Sequence, residues 1–169
     1  MKKCIILIFL LASASISFSQ ELNKKTMDAK SEKEILIGYC TLDSLKTGDF
    51  GESFNDEWQW YEVDTMLTKK IKNKISDVSI IIVLGTWCGD SKEQVPRFLK
   101  ILEQIGYDAS KIKLICVDRN KKAGDVMIDD LKVEKVPTFI FYRKNTEIGR
   151  IIEVPVDLLE RDILHILSK

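Results

Sequence analysis

The chain has 169 residues, of which 45% are hydrophobic and 31% charged, and this suits one globular domain with a core and an appendage. Its 26 basic and 26 acidic residues leave no net charge. That balance excludes a nucleic-acid-binding protein, because phosphates require a basic face.

The first nineteen residues have the pattern of a secretory signal peptide. Lys2 and Lys3 form a positive start, residues 5–14 are apolar, and residues 17–19 form a small-x-small cleavage site. The apolar run is too short to span a bilayer, so we expect no stable membrane anchor. Removal of residues 1–19 would leave an exported, slightly acidic chain, periplasmic in a Gram-negative cell and otherwise extracellular.

Export changes the interpretation of the cysteines. Cys40, Cys88 and Cys116 would remain, in an oxidising compartment where disulfides persist. Their odd number leaves at least one thiol free or paired outside the chain. No Cys-x-x-Cys pair occurs and His165 is the single histidine, so the sequence predicts no metal site and no cofactor.

The composition changes near residue 78, where charged helical patterns give way to a continuous apolar run. We therefore predict an extension at residues 20–77 that packs on a main domain at residues 78–169. The extension begins with a polar, loose or helical lead-in at residues 21–34. A strand follows at residues 34–41, whose Ile, Leu and Tyr content is typical of strands.

Helices are predicted for the rest of the extension. Thr41 is the expected cap of a short helix, and Asp64 the cap of a longer one with an apolar face. Between them, aromatic residues recur at helical spacing, at Phe50, Phe54, Trp58 and Tyr61. We interpret this stripe as the face that packs the extension onto the main domain. The alternative is that Trp58, Trp60 and Tyr61 line a groove for a client protein.

Strands and helices alternate in the main domain. Strands are predicted at residues 79–84, 111–118, 138–143 and 147–154, and helices after the first strand, at 123–132 and at 156–167. Pro155 suits the first turn of the last helix. In the first helix, four apolar residues face inward: Val95, Phe98, Leu99 and Leu102. The order β-α-β-α-β-β-α predicts an α/β fold with a central mixed sheet flanked by helices.

The segment GTWCGDSKEQVP, residues 85–96, joins the first of these strands to its helix. Open α/β sheets carry their sites where strands end, and Cys88 would lie at the helix N-terminus, where free N–H groups favour an anion. The thiolate is the reactive form of cysteine. Asp90 opposes a negative charge and Lys92 partly compensates, so we predict a reactive thiol at Cys88.

This segment resembles the active site of the thioredoxin family, in which Trp-Cys-Gly-Pro-Cys-Lys precedes a helix-kinking proline. The matching positions are Trp87, Cys88, Gly89, Lys92 and Pro96. Asp90 replaces the proline of the motif, and Ser91 replaces its second cysteine. The VPT sequence at residues 136–138 resembles the cis-proline loop of the family, and Asp118 and the EIGR segment also fall where the family has them.

The resemblance covers residues 78–169 and implies a thioredoxin-like fold with thiol–disulfide chemistry. It implies catalytic roles for Cys88, Ser91 and Trp87. It also implies a substrate-binding set that faces the cysteine, formed by Gly89, Val136, Pro137 and Thr138. The implied partners are protein or small-molecule thiols and disulfides, and we expect a monomer.

Two departures from the family pattern predict monothiol chemistry. Ser91 cannot form a disulfide, and Ile82 stands where thioredoxins have a buried aspartate that serves proton transfer for the second cysteine. Without that cysteine the aspartate has no role, and burying it unpaired is costly. Cys88 could therefore attack a disulfide and remain a mixed disulfide until an external thiol released it. Ser91 could still hydrogen-bond the Cys88 thiolate.

The other cysteines leave alternatives open. Cys116 lies in a predicted central strand and is expected to be an inert buried thiol. Cys40 is either a packed small residue or, if the extension folds over the site, a remote resolving cysteine. Two further classes of function remain: a client-binding module that uses the proline groove without covalent chemistry, and a structural protein in which Cys40 pairs with Cys88 or Cys116.

Overall fold

A computed structural model describes residues 21–169, so the predicted signal peptide at residues 1–19 lies outside the described residues. The strands are β1 (Lys25–Asp28), β2 (Lys33–Leu36), β3 (Gly38–Cys40), β4 (Val78–Leu84), β5 (Ile112–Cys116), β6 (Thr138–Arg143) and β7 (Thr146–Ile152). The helices are α1 (Leu42–Leu45), α2 (Gly48–Trp60), α3 (Thr65–Lys72), α4 (Gly89–Gln104) and α5 (Leu159–Leu167), with short 3-10 turns at Ala109–Lys111 and Asp129–Leu131.

Five strands form one mixed sheet in the spatial order β3-β5-β4-β6-β7. The central pair, β4 and β5, is parallel, and the other neighbours are antiparallel. A parallel pair needs a crossover connection, which α4 supplies. The structure confirms the predicted fold class, a central mixed sheet flanked by helices.

Alternate residues of the central strands face two separate cores. Ile82 and Leu84 of β4 point into the larger core, which side chains of α2, α4 and α5 complete. Val83 points to the opposite face, where it packs with Ile115 and with residues of the 117–136 segment. Burial on both faces explains why β4 reads as a continuous apolar run.

Local signals predicted several helix boundaries correctly. The Thr41 hydroxyl accepts a hydrogen bond from the Ser44 amide at the start of α1. The Asp64 carboxylate accepts the amides of Met66 and Leu67 at the start of α3. These side chains satisfy N–H groups that have no partner within their helices, which is why such residues mark helix starts.

Three segments differ from their predictions. Residues 21–34 form most of a β-hairpin, β1–β2, rather than a loose or helical lead-in. The Asp28 carboxylate accepts the amide and hydroxyl of Ser31, which closes the connection between the two strands. Residues 123–132 are not helical, since Gly124 has a left-handed φ of 63° and only a short 3-10 turn follows. The last helix begins at Leu159, later than predicted. The Val156 amide donates to the Asp162 carboxylate, which holds residue 156 in a turn that precedes the helix.

The predicted extension contributes directly to the central sheet. Strand β3 pairs with β5, with Gly38 opposite Cys116 and Cys40 opposite Leu114. The division of the chain after residue 77 stays a prediction. None of the helices in residues 21–169 is long and apolar enough to cross a membrane.

Candidate active site

Cys88 lies at the junction between the central strand β4 and α4, the longest helix in residues 21–169. After β4 ends, the Cys88 amide donates to the Gly85 carbonyl oxygen at 2.9 Å and closes a tight turn. Cys88 is the N-cap residue of α4, and its own carbonyl oxygen accepts the Lys92 amide at 3.0 Å. The half-buried thiol therefore lies at the positive end of a helix of 16 residues.

The proline loop faces this thiol. The Cys88 Sγ atom lies 3.2 Å from the Val136 carbonyl oxygen, which accepts the weak S–H hydrogen bond. The peptide bond between Val136 and Pro137 is cis. The Thr138 hydroxyl donates to the Lys135 carbonyl oxygen at 2.6 Å and steadies the loop. Folding thus brings Cys88 together with Val136, which lies 48 positions away in the sequence.

Trp87 is held from three sides. Its indole Nε1 donates to the Val117 carbonyl oxygen at 2.8 Å, next to the end of β5. The Arg119 guanidinium lies over the ring, 4.6 Å from its centre. The Gly85 Cα lies so close that an added Cβ would come within 2.7 Å of a ring carbon. The aromatic neighbour of Cys88 is therefore fixed in one position.

Arg119 is in turn held by the N-terminal hairpin. Its Nε and Nη2 atoms each lie 2.8 Å from an oxygen of Asp28, in a two-pronged ion pair. Asp28 is buried, and hydrogen bonds from Arg119, then from Ser31, hold the pKa of its carboxyl well below the ordinary range. The pKa of Arg119 is raised, mainly by Asp28, with a smaller contribution from the nearby Cys88 when it is charged.

Ser91 has a different partner from the one predicted. Its side chain is buried, and its Oγ accepts the Gly85 amide at 3.2 Å rather than bonding to Cys88. The reason is local: Gly85 follows the last residue of β4, so its amide has left the strand ladder and needs another acceptor. Ser91 therefore connects the first turn of α4 to the turn that presents Cys88.

Lys92 also differs from its prediction as a charge that compensates Asp90. Its Nζ lies 2.5 Å from Asp49, and Lys33 lies 2.6 Å from the other oxygen of the same carboxylate. Hydrogen bonds from Lys33, then from Lys92, lower the pKa of Asp49 to about 2. Lys92 is thus paired with a carboxylate of α2, which it shares with Lys33.

Cys40 does not lie next to Cys88. Its Sγ is 3.1 Å from the Sγ of Cys116, and both belong to the larger core. Cys88 packs against the smaller core on the other face of the sheet. The buried position predicted for Cys116 is confirmed, and the structure gives no support to Cys40 as a resolving cysteine for Cys88.

A groove of about 660 Å³ runs beside Trp87, between the hairpin and the start of α2. Its lining is mixed, with apolar Ile35 and Phe50 next to charged Lys33 and Asp49. Of the aromatic stripe, Phe50 borders this groove, and the stripe as a whole packs into the larger core. Phe50 and Phe54 are buried in the larger core, and Trp58 and Tyr61 pack against it, as the packing interpretation predicted.

Three residues of this site had no assigned role in the sequence analysis: Gly85, Arg119 and Asp28. Gly85 lies inside the quoted motif, and its position beside an aromatic residue was the available signal. Arg119 directly follows Asp118, at the carboxyl end of a central strand, where sites gather. Asp28 gave no signal, because its role depends on a hairpin that was not predicted. Within residues 21–169, no histidine, cysteine and carboxylate side chains form a cluster that could hold a metal ion.

The mixed sheet, the cysteine at the start of α4 and the proline loop against it together define a thioredoxin-like protein. The family model described as thioredoxin matches residues 52–162, which is more than half of the chain. This chain therefore belongs to the thioredoxin family. The domain is one of thiol–disulfide redox chemistry, so thiols and disulfides are its class of substrate.

Solved structures agree with the fold. A protein of unknown function from Pseudomonas aeruginosa has 15% identity and a TM-score of 0.52, over 72% of this chain and 84% of its own. An HIV epitope-scaffold protein has 15% identity and a TM-score of 0.53, with the same coverage. At this identity the likeness concerns the fold alone. No curated protein matches the chain.

Proposed function

We propose that this chain performs thiol–disulfide exchange through a single active-site cysteine, Cys88. The observation that carries the proposal is the thiol at the start of α4, 3.2 Å from the carbonyl oxygen that precedes Pro137. The thiolate is the attacking form in such an exchange, and the N-terminal end of a helix attracts anions. Ser91 stands where a second thiol would otherwise release the product.

The reaction consists of two exchanges in which bonds and charges balance. The Cys88 thiolate attacks one sulfur of a substrate disulfide, forms a mixed disulfide and expels the other sulfur as a thiolate. An external thiolate then attacks the mixed disulfide, forms a new disulfide with the substrate sulfur and returns the Cys88 thiolate. The net result is disulfide shuffling or removal of a small-thiol adduct, with no net change in oxidation state.

The substrate would bind across the proline loop, against Val136, Pro137 and Thr138. Gly89 follows Cys88 at the start of α4, and apart from its chain neighbours and the backbone of its own helix no atom lies within 4 Å of the place where its Cβ would stand. The Ser91 hydroxyl uses its oxygen for the Gly85 amide, so its proton remains available to a nearby anion.

Export belongs to the proposal and rests on residues 1–19 of the sequence. Periplasmic in a Gram-negative cell and otherwise extracellular, the protein would meet disulfide-bonded clients there. The test is N-terminal sequencing of the secreted chain, which we expect to begin at Gln20. A chain that keeps Met1 and remains in the cytoplasmic fraction would contradict export without affecting the chemistry of Cys88.

The chemistry is tested by incubating the reduced chain with oxidised glutathione and mapping adducts by mass spectrometry. We expect a persistent glutathione adduct on Cys88 that is absent in Cys88→Ala. In Ser91→Cys the adduct should be short-lived, because the introduced thiol displaces glutathione and forms an intramolecular disulfide. Absence of an adduct on Cys88 under excess oxidant would rule the proposal out.

The same variants distinguish covalent exchange from simple client binding. If Cys88→Ala bound an extended cysteine-containing peptide as tightly as the wild type and the wild type formed no mixed disulfide with it, the chain would be a binding module. For the proposed exchange, trapping of the peptide requires Cys88, and a reducing agent releases it.

A further inference from the structure

Two cysteines that the proposed chemistry does not use lie against each other in the larger core. Cys40 ends β3, at the edge of the central sheet, and Cys116 ends β5, the neighbouring strand. In the register of this antiparallel pair, Cys116 is opposite Gly38 and Cys40 is opposite Leu114, so the two cysteines are diagonal neighbours. Residues two apart on neighbouring strands share one face, so both side chains point to the same side of the sheet.

Their side chains meet across this diagonal. The two Sγ atoms are 3.1 Å apart, although the residues are separated by 76 positions in the sequence. A diagonal pair stands further apart than a directly opposed pair. Contact between the sulfurs therefore requires both side chains to turn toward each other, and Gly38 opposite Cys116 adds no side chain that would obstruct them.

Both thiols are shielded from solvent. Cys116 is fully buried and Cys40 is 8% exposed. The hydrogen bond with Cys40, and then burial, raise the pKa of Cys116, so this thiol stays protonated and unreactive once the sheet has formed. The weak S–H bond is all that they gain as separate thiols.

We infer that Cys40 and Cys116 form a structural disulfide that ties β3 of the extension to the centre of the sheet. The S–S bond length of about 2.05 Å requires the sulfurs to approach by about 1 Å. That movement is small for β3, a strand of three residues at the sheet edge. The inference is independent of the chemistry proposed for Cys88.

The oxidation balances with a disulfide as the oxidant, such as oxidised glutathione or a disulfide-bonded protein. The first cysteine, as a thiolate, attacks the oxidant, forms a mixed disulfide and releases one thiol. The second cysteine then attacks the mixed disulfide and releases the other thiol, so two thiols are oxidised and one disulfide is reduced. Because both sulfurs are buried in the folded sheet, the exchange takes place before β3 docks onto β5.

The bond would also determine which cysteine thiols stay free to react. Of the cysteines in residues 21–169, Cys88 alone would keep a free thiol. Cys40 could then not act as its resolving partner, and release of a mixed disulfide would depend on an external thiol.

The test begins with the full chain, refolded from the reduced, denatured state in a glutathione redox buffer. The product is denatured with an alkylating reagent, digested without reduction and mapped by mass spectrometry. We expect a peptide that links Cys40 to Cys116, while Cys88 carries the alkyl group or glutathione. Alkylation of both Cys40 and Cys116, or a bond from either one to Cys88, would overturn the inference.

A second measurement tests the stabilising role. The urea midpoint of unfolding should be higher for the oxidised chain than for the chain kept in a reducing agent. This difference should disappear in Cys40→Ala and in Cys116→Ala and persist in Cys88→Ala. Equal midpoints for the oxidised and reduced wild type would overturn the structural role. Glutathione adducts on Cys88 are scored separately, so failure of one proposal does not imply failure of the other.

Discussion

The guanidinium of Arg119 lies 4.6 Å from the centre of the Trp87 ring, directly beside the residue that precedes the active-site cysteine. Asp28, 91 positions earlier in the chain, holds it there through a two-pronged ion pair. The N-terminal hairpin is thus connected to the thiol through one arginine and one tryptophan. This connection makes the hairpin a support for the active site.

Loss of this support should slow the reaction of Cys88. We expect Arg119→Ala or Asp28→Asn to lower the rate of exchange with oxidised glutathione roughly two- to tenfold, the range that one cation–π contact can supply. In Arg119→Ala, Trp87 keeps its bond to Val117 but loses the cation above its ring, and in Asp28→Asn the cation loses the ion pair that holds it there. Stopped-flow tryptophan fluorescence measures the rate.

Asp125→Asn is the matched control for these variants, because it removes the exposed ion pair between Lys24 and Asp125 near the same hairpin. Exposed pairs of this kind contribute little. An unchanged rate in Arg119→Ala, or an equal loss in Asp125→Asn, would show that the contact with Trp87 does not support the thiol.

Gly85 and Trp87 are in such close contact that a single added methyl group should destabilise the fold. In Gly85→Ala the new Cβ would stand 2.7 Å from a ring carbon, so the indole must move. Overpacking of this kind costs about 1–3 kcal/mol in free energy of unfolding. Urea denaturation measures the cost, and near-ultraviolet circular dichroism reports the displaced ring.

Gly89→Ala provides the comparison for Gly85→Ala. An added Cβ at Gly89 meets nothing within 4 Å, and alanine is the better helix former at the start of α4. We therefore expect stability to be unchanged or slightly increased. Equal destabilisation by both substitutions would contradict the account of the turn.

Two carboxylates should make stability depend on pH in the acid range. Hydrogen bonds from Lys33 and Lys92 lower the pKa of Asp49 to about 2, and Arg119 holds the pKa of Asp28 well below its ordinary value. The unfolded chain takes up these protons near pH 4, roughly the ordinary carboxyl value. Between that pH and the lower folded-state pKa values the unfolded state binds more protons, so the free energy of unfolding decreases as the pH is lowered. The stabilisation is fully present near neutrality.

The measurement is urea denaturation at several pH values for the wild type, Asp49→Asn and Asp28→Asn. We expect the stability gap between the wild type and each variant to be widest near neutral pH and to shrink below about pH 4. Asp56→Asn, at an exposed position of α2, should show no such gap. A gap for Asp49→Asn that stays constant down to pH 3 would contradict the role of the ion pairs, since about pH 3 lies inside the window.

A buried carboxylate on the last helix should be important for stability and unimportant for the chemistry. Glu160 is 1% exposed and accepts hydrogen bonds from the Tyr61 hydroxyl at 2.8 Å and the Asp64 amide at 3.1 Å. Glu160→Ala removes both of these partly buried hydrogen bonds, and a bond of this kind contributes about 0.5–1.5 kcal/mol to the free energy of unfolding. Burial, and then the Glu160 bond, raise the pKa of Tyr61, so that hydroxyl stays a donor.

Glu160→Gln separates the hydrogen bonds from the loss of volume. Glutamine keeps one acceptor oxygen. The stability of Glu160→Gln should therefore lie between that of the wild type and that of Glu160→Ala. Thermal unfolding gives the stability, and alkylation of Cys88 with iodoacetamide reports the site. Glu160→Ala as stable as the wild type, or slower alkylation of Cys88 in the folded variant, would contradict this assignment.

The sequence was sufficient to predict those strands and helix starts that are determined by residues close to one another in the chain. The β-branched apolar runs predicted β4, β5 and β6, and the caps at Thr41 and Asp64 predicted the starts of α1 and α3. Cys88 was correctly placed at the start of a helix, because a buried strand, a turn and a helical pattern follow one another there. Each of these signals is contained in fewer than about 20 residues and acts through backbone propensity or a local hydrogen bond.

Tertiary structure alone determined which distant side chains meet. The pairs Asp28–Arg119, Lys92–Asp49 and Cys40–Cys116 are separated by 91, 43 and 76 positions, and each depends on how the extension packs against the sheet. Strand β4 ends at Leu84, so the amide of the next residue, Gly85, has no partner in the sheet. The Ser91 hydroxyl oxygen accepts that amide instead. Contacts of this kind depend on strand order, register and helix packing, and no local pattern of residues specifies these properties.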